Sequence, residues 1–310
     1  MQVVSVINYK GGVGKTTLTA NLGAELARRG QHVLLIDLDP QSSLTFCFYH
    51  PDEWRAELRG GQTIKRWFDS IKDGIPSVTL GEQVVYPRPV NAALPDGSGR
   101  LGLIASHLGL IDVDFELARR IGGIEQKFDP ALFRMRGALA DALHDESFAE
   151  FDWIFIDCPP SFNVVTQSAI IASDHIVIPA KADYLSTLGI EYLYGNVQEL
   201  VERHNEHSLK HAKMRHSRIE PNIAGVVFTM IQFRNGSPIS ALQNYINQVR
   251  GLGIPVFSTY MRENNTLFAG SVPRGVPAVL RERVTSQINI ELRTLASEFL
   301  NTIHAEGAAA

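Results

Sequence analysis

The chain has 310 residues, 45% of them apolar, enough for one large α/β domain or two small ones with a sizeable buried core. Its formal charge of −4, from 29 basic and 33 acidic residues, excludes a protein that coats nucleic acid through a global basic excess. Two cysteines without metal-type spacing and no apolar run long enough to span a bilayer argue against a disulfide framework and against membrane insertion, and point to a reducing, cytoplasmic setting.

In chain order, "VVSVI" (Val3 to Ile7) reads as a first buried strand, followed by the glycine-rich turn "NYKGGVGKTT". A helix is expected over Thr16 to Arg29, with Leu18, Leu22, Leu26 and Ala27 on one face and Gly30 as its stop. "HVLLIDLD" (His32 to Asp39) is the next strand. His50 to about Pro130 is less regular, with a turn at Asp96-Gly97 and a strand in "RLGLIAS". It is read as an elaboration, at about 50–135, of a single domain spanning 1–305, with 306–310 a frayed tail. Further strands are expected in "WIFID", "HIVIPA", "IAGVVFTMI" and "PVFS", and helices over Leu185 to Val201 and Ile288 to Ile303. This alternation predicts an α/β fold with a doubly wound, mostly parallel sheet flanked by helices.

A strand that feeds a glycine-rich turn and then a helix is the geometry of a phosphate cradle. Backbone N–H groups of Gly11, Gly12, Val13, Gly14 and Lys15 would surround a β-phosphate. Lys15 would reach the β- and γ-phosphates, and the Thr16 hydroxyl, followed by Thr17, would complete a Mg2+ shell. The common loop reads G-x-x-x-x-G-K-[ST], yet its first glycine position holds Tyr9, with a second lysine, Lys10, beside it. Since Lys15 already serves the chain's own nucleotide, Lys10 at the rim would lose solvation without gain unless another anion arrived. The phosphates of a second subunit would supply one. "WIFIDCPPS" ends an apolar strand in Asp157, a placement suited to a water of a Mg2+ shell. Asp37 and Asp39 stand at the end of another strand, where open α/β sheets carry their chemistry.

"KGGVGKTT" resembles the deviant Walker A loop of the ParA/MinD superfamily of P-loop ATPases, on the side of the ParA (Soj-like) partition ATPases. The resemblance implies slow, Mg2+-dependent ATP hydrolysis to ADP and phosphate, and a nucleotide-sandwich homodimer in the ATP state in which Lys10 reaches the partner's ATP. It also implies that Asp39, in "LIDLDPQSSLT", assists the attacking water and that Asp37 lies near the metal shell. "GVVFTMIQFRN" is similar to the family's strand near the adenine, so Met230 is expected at the base. Gln232 stands where the family commonly has Asp, and Arg262-Glu263 where it often has Pro-Arg.

From Arg203 to Arg283 the chain carries eleven Lys/Arg against four acids, a polarity suited to sequence-nonspecific phosphate binding. Family resemblance implies nonspecific DNA binding by the ATP dimer, nucleoid association, and release by a ParB-like or other activating partner. Arg234, Arg262 and Arg274 are the DNA-binding candidates. Alternatives share the loop, a non-DNA regulatory ATPase of the same fold among them. A MinD-like membrane-positioning ATPase would need a basic amphipathic C-terminal helix, whereas the stripe Ile288, Leu292, Leu295, Phe299 and Ile303 carries three Glu to one Arg and reads as core. An iron–sulfur reductase subunit would need Cys47 and Cys158 as shared ligands, and neither stands at a suitable place.

Overall fold

The computed structural model describes residues 1–71, 77–120, 129–210, 217–234, 237–264 and 275–307. Seven strands join in one sheet: β1 (Gln2–Val6), β2 (His32–Asp37), β3 (Val84–Val85), β4 (Arg100–Ile104), β5 (Trp153–Asp157), β6 (His175–Lys181) and β7 (Asn222–Thr229). Their order is β3-β4-β2-β5-β1-β6-β7, parallel throughout except for the short edge strand β3 against β4.

The strands read as unbroken apolar runs because successive side chains enter different cores. Val33 and Leu35 of β2 join one cluster, and Leu34 and Ile36 the other; in β5, Trp153 and Phe155 separate in the same way from Ile154 and Ile156. Helices Lys15–Arg28, Ser43–Phe48 and Gln287–Gly307 cover one face. Helices Ile64–Ile71, Pro130–Leu143, Val164–Ile171 and Tyr184–Lys210 cover the other. This is the doubly wound sheet that the sequence pattern implies.

One expectation is modified. "PVFS" forms one parallel bridge, Val226 to Val256, instead of a strand: Pro255 has no N–H, so it can only accept from Val226 N, at 2.8 Å. The strand expected in "RLGLIAS" is β4, which pairs with β2 from His32↔Arg100 to Ile36↔Ile104 and so belongs to the central sheet.

The C-terminal helix Gln287–Gly307 spends its apolar stripe inward. Leu292, Leu295, Phe299 and Ile303 are buried, and the Phe299 ring lies 5.3 Å from that of Trp153 and 5.7 Å from that of Phe155. The fully buried Glu25 helps fix this helix: it binds Arg28 and Arg29, and Arg29 in turn donates to Arg293 O at 2.8 Å and to Ser297 Oγ at 3.0 Å. Phe299→Ala should cost about 3–5 kcal/mol through the cavity it leaves, read as a lower midpoint in urea unfolding.

Candidate active site

The carboxyl ends of β1, β2 and β5 meet at the middle of the sheet, with β6 and β7 on the far side of β1, so the crevice lies where the strand order reverses. The loop after β1 enters it with left-handed backbone at Gly12 (φ 66) and Gly14 (φ 83), conformations that glycine adopts without cost. A cleft of about 350 Å3 opens above this loop. Gly11, Gly12, Val13, Gly14, Lys15, Thr16, Thr17 and Met230 all line it, with Asp39, Cys47 and Pro160 among its further walls. The helix Lys15–Arg28 presents its N-terminus there with no acid in its first turn, leaving its partial positive charge available to an anion.

Lys15 is buried, its Nζ donating to Asn8 O at 3.1 Å and to Lys10 O at 3.3 Å. Burial lowers the pKa of its ammonium, an effect opposed by Asp157 and Asp39 nearby. The Thr16 hydroxyl donates to Asp157 Oδ2 at 2.6 Å. Asp157 Oδ1 is buried without a hydrogen-bond partner. An orphaned carboxylate oxygen next to a hydroxyl and a phosphate loop suits a water of a hydrated Mg2+, which is held by few protein groups. No cluster of three or more His, Cys, Asp or Glu that could cage a metal occurs among the described residues. Burial, with the nearby Asp39, pushes the Asp157 carboxyl up to about 7 despite the lowering influence of Thr16 and Lys15.

Asp37 stands at the end of β2, beside Asp157. Its Oδ2 accepts from Thr45 N and Thr45 Oγ1, each at 2.7 Å, and Oδ1 accepts from Asp39 N at 3.1 Å. Both oxygens accept from the turn after β2, so Asp37 helps shape the loop that carries Asp39. Burial, and then Asp157, raise its pKa well above the usual carboxylate range. Asp39 Oδ1 accepts from Gln41 N at 2.9 Å, closing an Asx turn at the cleft wall. Ser42 follows with φ 55, a strained conformation for serine, just before the helix Ser43–Phe48.

Lys10 points to the rim, where it has a partner that sequence reading missed. Its Nζ donates to Asp183 Oδ2 at 2.6 Å and to Ser186 Oγ at 3.3 Å. Both belong to the segment at the start of the helix Tyr184–Lys210. Other supporting residues also escaped the motif reading. Asn8 Oδ1 accepts from Lys10 N, Thr229 Oγ1 donates to Val13 O at 2.7 Å, and Ser106 Oγ donates to Asp39 O at 2.7 Å. All three stand in quoted segments, Asn8 in "NYKGGVGKTT", Ser106 in "RLGLIAS" and Thr229 in "GVVFTMIQFRN", but the local pattern carries no sign of the bond each makes.

A family model described as an AAA domain matches residues 1–210. The chromosome partitioning protein ParA of Caulobacter vibrioides is 32% identical over 238 residues, covering 76% of this chain and 72% of that protein. The chain belongs to the ParA/MinD superfamily of P-loop ATPases, on its ParA side. Two solved structures share the fold of this ParA-type chain. Apo McdA from Cyanothece superposes with a TM-score of 0.72 at 21% identity, covering 97% of this chain and 99% of that one. Cobyrinic acid a,c-diamide synthase from Mycobacterium smegmatis, with bound ATP analog and magnesium, gives 0.68 at 21% identity, covering 99% and 97%. Within this ParA-type frame the DNA-binding candidates part company. Arg234 is exposed on a short hairpin after β7. Arg262 is bound by Glu291 through both Nε and Nη2, its guanidinium 5.1 Å over the Phe233 ring. Arg274 lies outside the described residues.

Proposed function

We propose that this chain binds MgATP in the cleft, dimerises in the ATP state, binds DNA nonspecifically as a dimer, and is released when a ParB-like or other activating partner stimulates slow hydrolysis. The observation that carries the reading is the convergence of the whole phosphate loop on one cleft, with Thr16 tied to an Asp157 that keeps one oxygen free. Thr16 and Asp157 would hold a hydrated Mg2+, which supplies neutralisation of phosphate charge when bound. Lys15 and the loop amides would hold the β- and γ-phosphates, and Asp39 would orient the attacking water. Fluorescent-nucleotide titration with and without Mg2+, followed by phosphate release, tests this: no saturable Mg2+-dependent ATP binding would refute it.

Dimerisation is supported by the rim itself. Lys10 and its partner Asp183 adjoin an exposed apolar helix face formed by Tyr184, Leu185, Leu188 and Tyr192. Large apolar side chains gathered beside a lysine suit a partly apolar interface that brings in an anion.

The excess of Lys/Arg supports DNA binding less evenly than the count suggests. Arg203 pairs with Glu199, Lys210 with Glu206, Arg218 with Glu220 and Arg262 with Glu291. We therefore expect Arg234→Ala to weaken DNA retention of the ATP dimer and lower its salt slope by about one counterion. Arg262→Ala should instead mainly reduce stability. Filter binding across a salt series, with thermal unfolding of each variant, separates the two effects.

The alternatives find little support. No described helix is long and apolar enough to cross a membrane, and the C-terminal stripe that a membrane-surface role would need is buried. Cys158 is fully buried in the core beside Asp157, so it offers no sulfur at a surface that two chains could share.

A further inference from the structure

Residues 106–114 join β4 to the helix Leu110–Arg120 and touch both loops that carry the candidate chemistry. At one end Ser106 Oγ donates to Asp39 O, while Ser106 N donates to Thr45 Oγ1, the same hydroxyl that binds Asp37. At the other end the Asp114 carboxylate accepts from Asn163 Nδ2, near Val165 N. Asn163 is the cap of the helix Val164–Ile171, its Oδ1 accepting from Thr166 N at 2.9 Å, and it closes the loop that starts at Asp157. The Asp114 carboxylate therefore holds the capping residue of that helix from another element, with charge of the sign its N-terminus favours.

This contact has an onward path. Phe162, next to Asn163, packs edge-on against Tyr9 with ring centroids 5.8 Å apart, and Asn196 Nδ2 donates to the Tyr9 hydroxyl at 2.6 Å. Tyr9 precedes Lys10. Fixing Asn163 thus restrains the loop after Asp157 and the aromatic side chain beside the rim lysine.

We infer that residues 106–114 act as a strut that sets the Asp39 loop and the Asp157 loop at a fixed separation, with Asp114 as a positioning residue for the second loop. The inference rests on the nucleotide reading of the cleft. Asp114 touches no reacting group and bonds neither Asp157 nor Thr16, so its contribution is confined to geometry. A segment bonded to both loops is also the place where a load on the outer helix would change their spacing, and Leu108, Ile111 and Phe115 are exposed there.

The test uses the full chain with Asp114→Ala and Asp114→Asn. Asparagine retains an acceptor for Asn163 or Val165; alanine does not. For Asp114→Ala we expect ATP affinity within about two-fold of wild type and turnover lower by on the order of ten- to a hundred-fold, the scale of a misplaced reacting geometry. Asp114→Asn should recover most of that turnover. Hydrogen exchange should quicken at residues 158–166 in Asp114→Ala while β1 and β5 keep their protection. Unchanged turnover and exchange in Asp114→Ala would overturn the strut, as would equal damage in both variants. If wild type hydrolyses no ATP, the reading of the cleft falls instead, and exchange at 158–166 alone still decides whether Asp114 holds the loop.

Discussion

Lys15→Ala is expected to lower ATP affinity by on the order of a hundred-fold or more, because the ammonium it removes is buried and has several dependants. Its Nζ holds the carbonyls of Asn8 and Lys10, which shape the loop from inside, at 3.1 and 3.3 Å. It is also a nearby positive charge for Asp157 and Asp39. Alanine would leave two carbonyls to find other partners and the carboxylates to repel an incoming polyphosphate. The fold should survive, since the core on either face does not involve this side chain. Calorimetric titration with ATP and Mg2+ reads the loss, and an affinity close to wild type would remove Lys15 from the nucleotide site.

Asp157→Asn should separate stability from binding. Burial raises the Asp157 carboxyl from an ordinary 3.8 to about 7, so its charged form is disfavoured in the folded state. A group raised in this way contributes stability that is full below about pH 4 and is lost as pH rises through about 7. At pH 8 the ligand-free wild type thus carries an unfavourable buried carboxylate above an equally buried Asp37. Asparagine still accepts from Thr16 but carries no charge. The variant should melt roughly 3–6 °C higher than wild type at pH 8 and nearly level with it at pH 5, while losing the Mg2+ dependence of nucleotide binding. In wild type, Mg2+ should bind with release of a proton around pH 7 and stabilise the protein more at pH 8 than at pH 6. Scanning calorimetry at the two pH values, with and without Mg2+, checks both statements; a lower melting temperature for Asp157→Asn at pH 8 would contradict the reading of this carboxylate.

The parts of the protein that could be read from sequence are those governed by short-range pattern. Buried parallel strands announce themselves as apolar runs because neither face meets water, and the phosphate loop because glycine, lysine and threonine are needed at fixed spacing. What escaped depends on contacts between distant segments. Nothing in "LIDLDP" shows that Thr45, folded back over the strand end, binds Asp37 while Asp39 lines the cleft. Lys10 and Asp183 are 173 positions apart, and Asp114 and Asn163 are 49 apart. The count of basic residues missed pairing for the same reason: Glu199 and Glu291, which neutralise Arg203 and Arg262, lie outside the segment counted. "PVFS" had the composition of a strand, but a proline without an N–H and a single partner bridge limited it.

The two lysines of the loop have divided environments. Lys15 is enclosed beneath the cleft, whereas Lys10 leans outward onto Asp183 and Ser186, beside exposed apolar side chains. An exposed ion pair of this kind contributes at most about 1 kcal/mol, so a second copy's phosphates could draw Lys10 away from Asp183 at modest cost. That exchange is what would make ATP binding an assembly signal. The most direct test is size-exclusion chromatography of wild type and Lys10→Ala, each with MgADP and with MgATP, with nucleotide affinity measured alongside. Wild type should run as a dimer with MgATP and a monomer with MgADP, and Lys10→Ala should bind ATP within about three-fold of wild type yet remain a monomer. A Lys10→Ala protein that dimerises with MgATP as wild type does would show that the second lysine does not complete the partner's site.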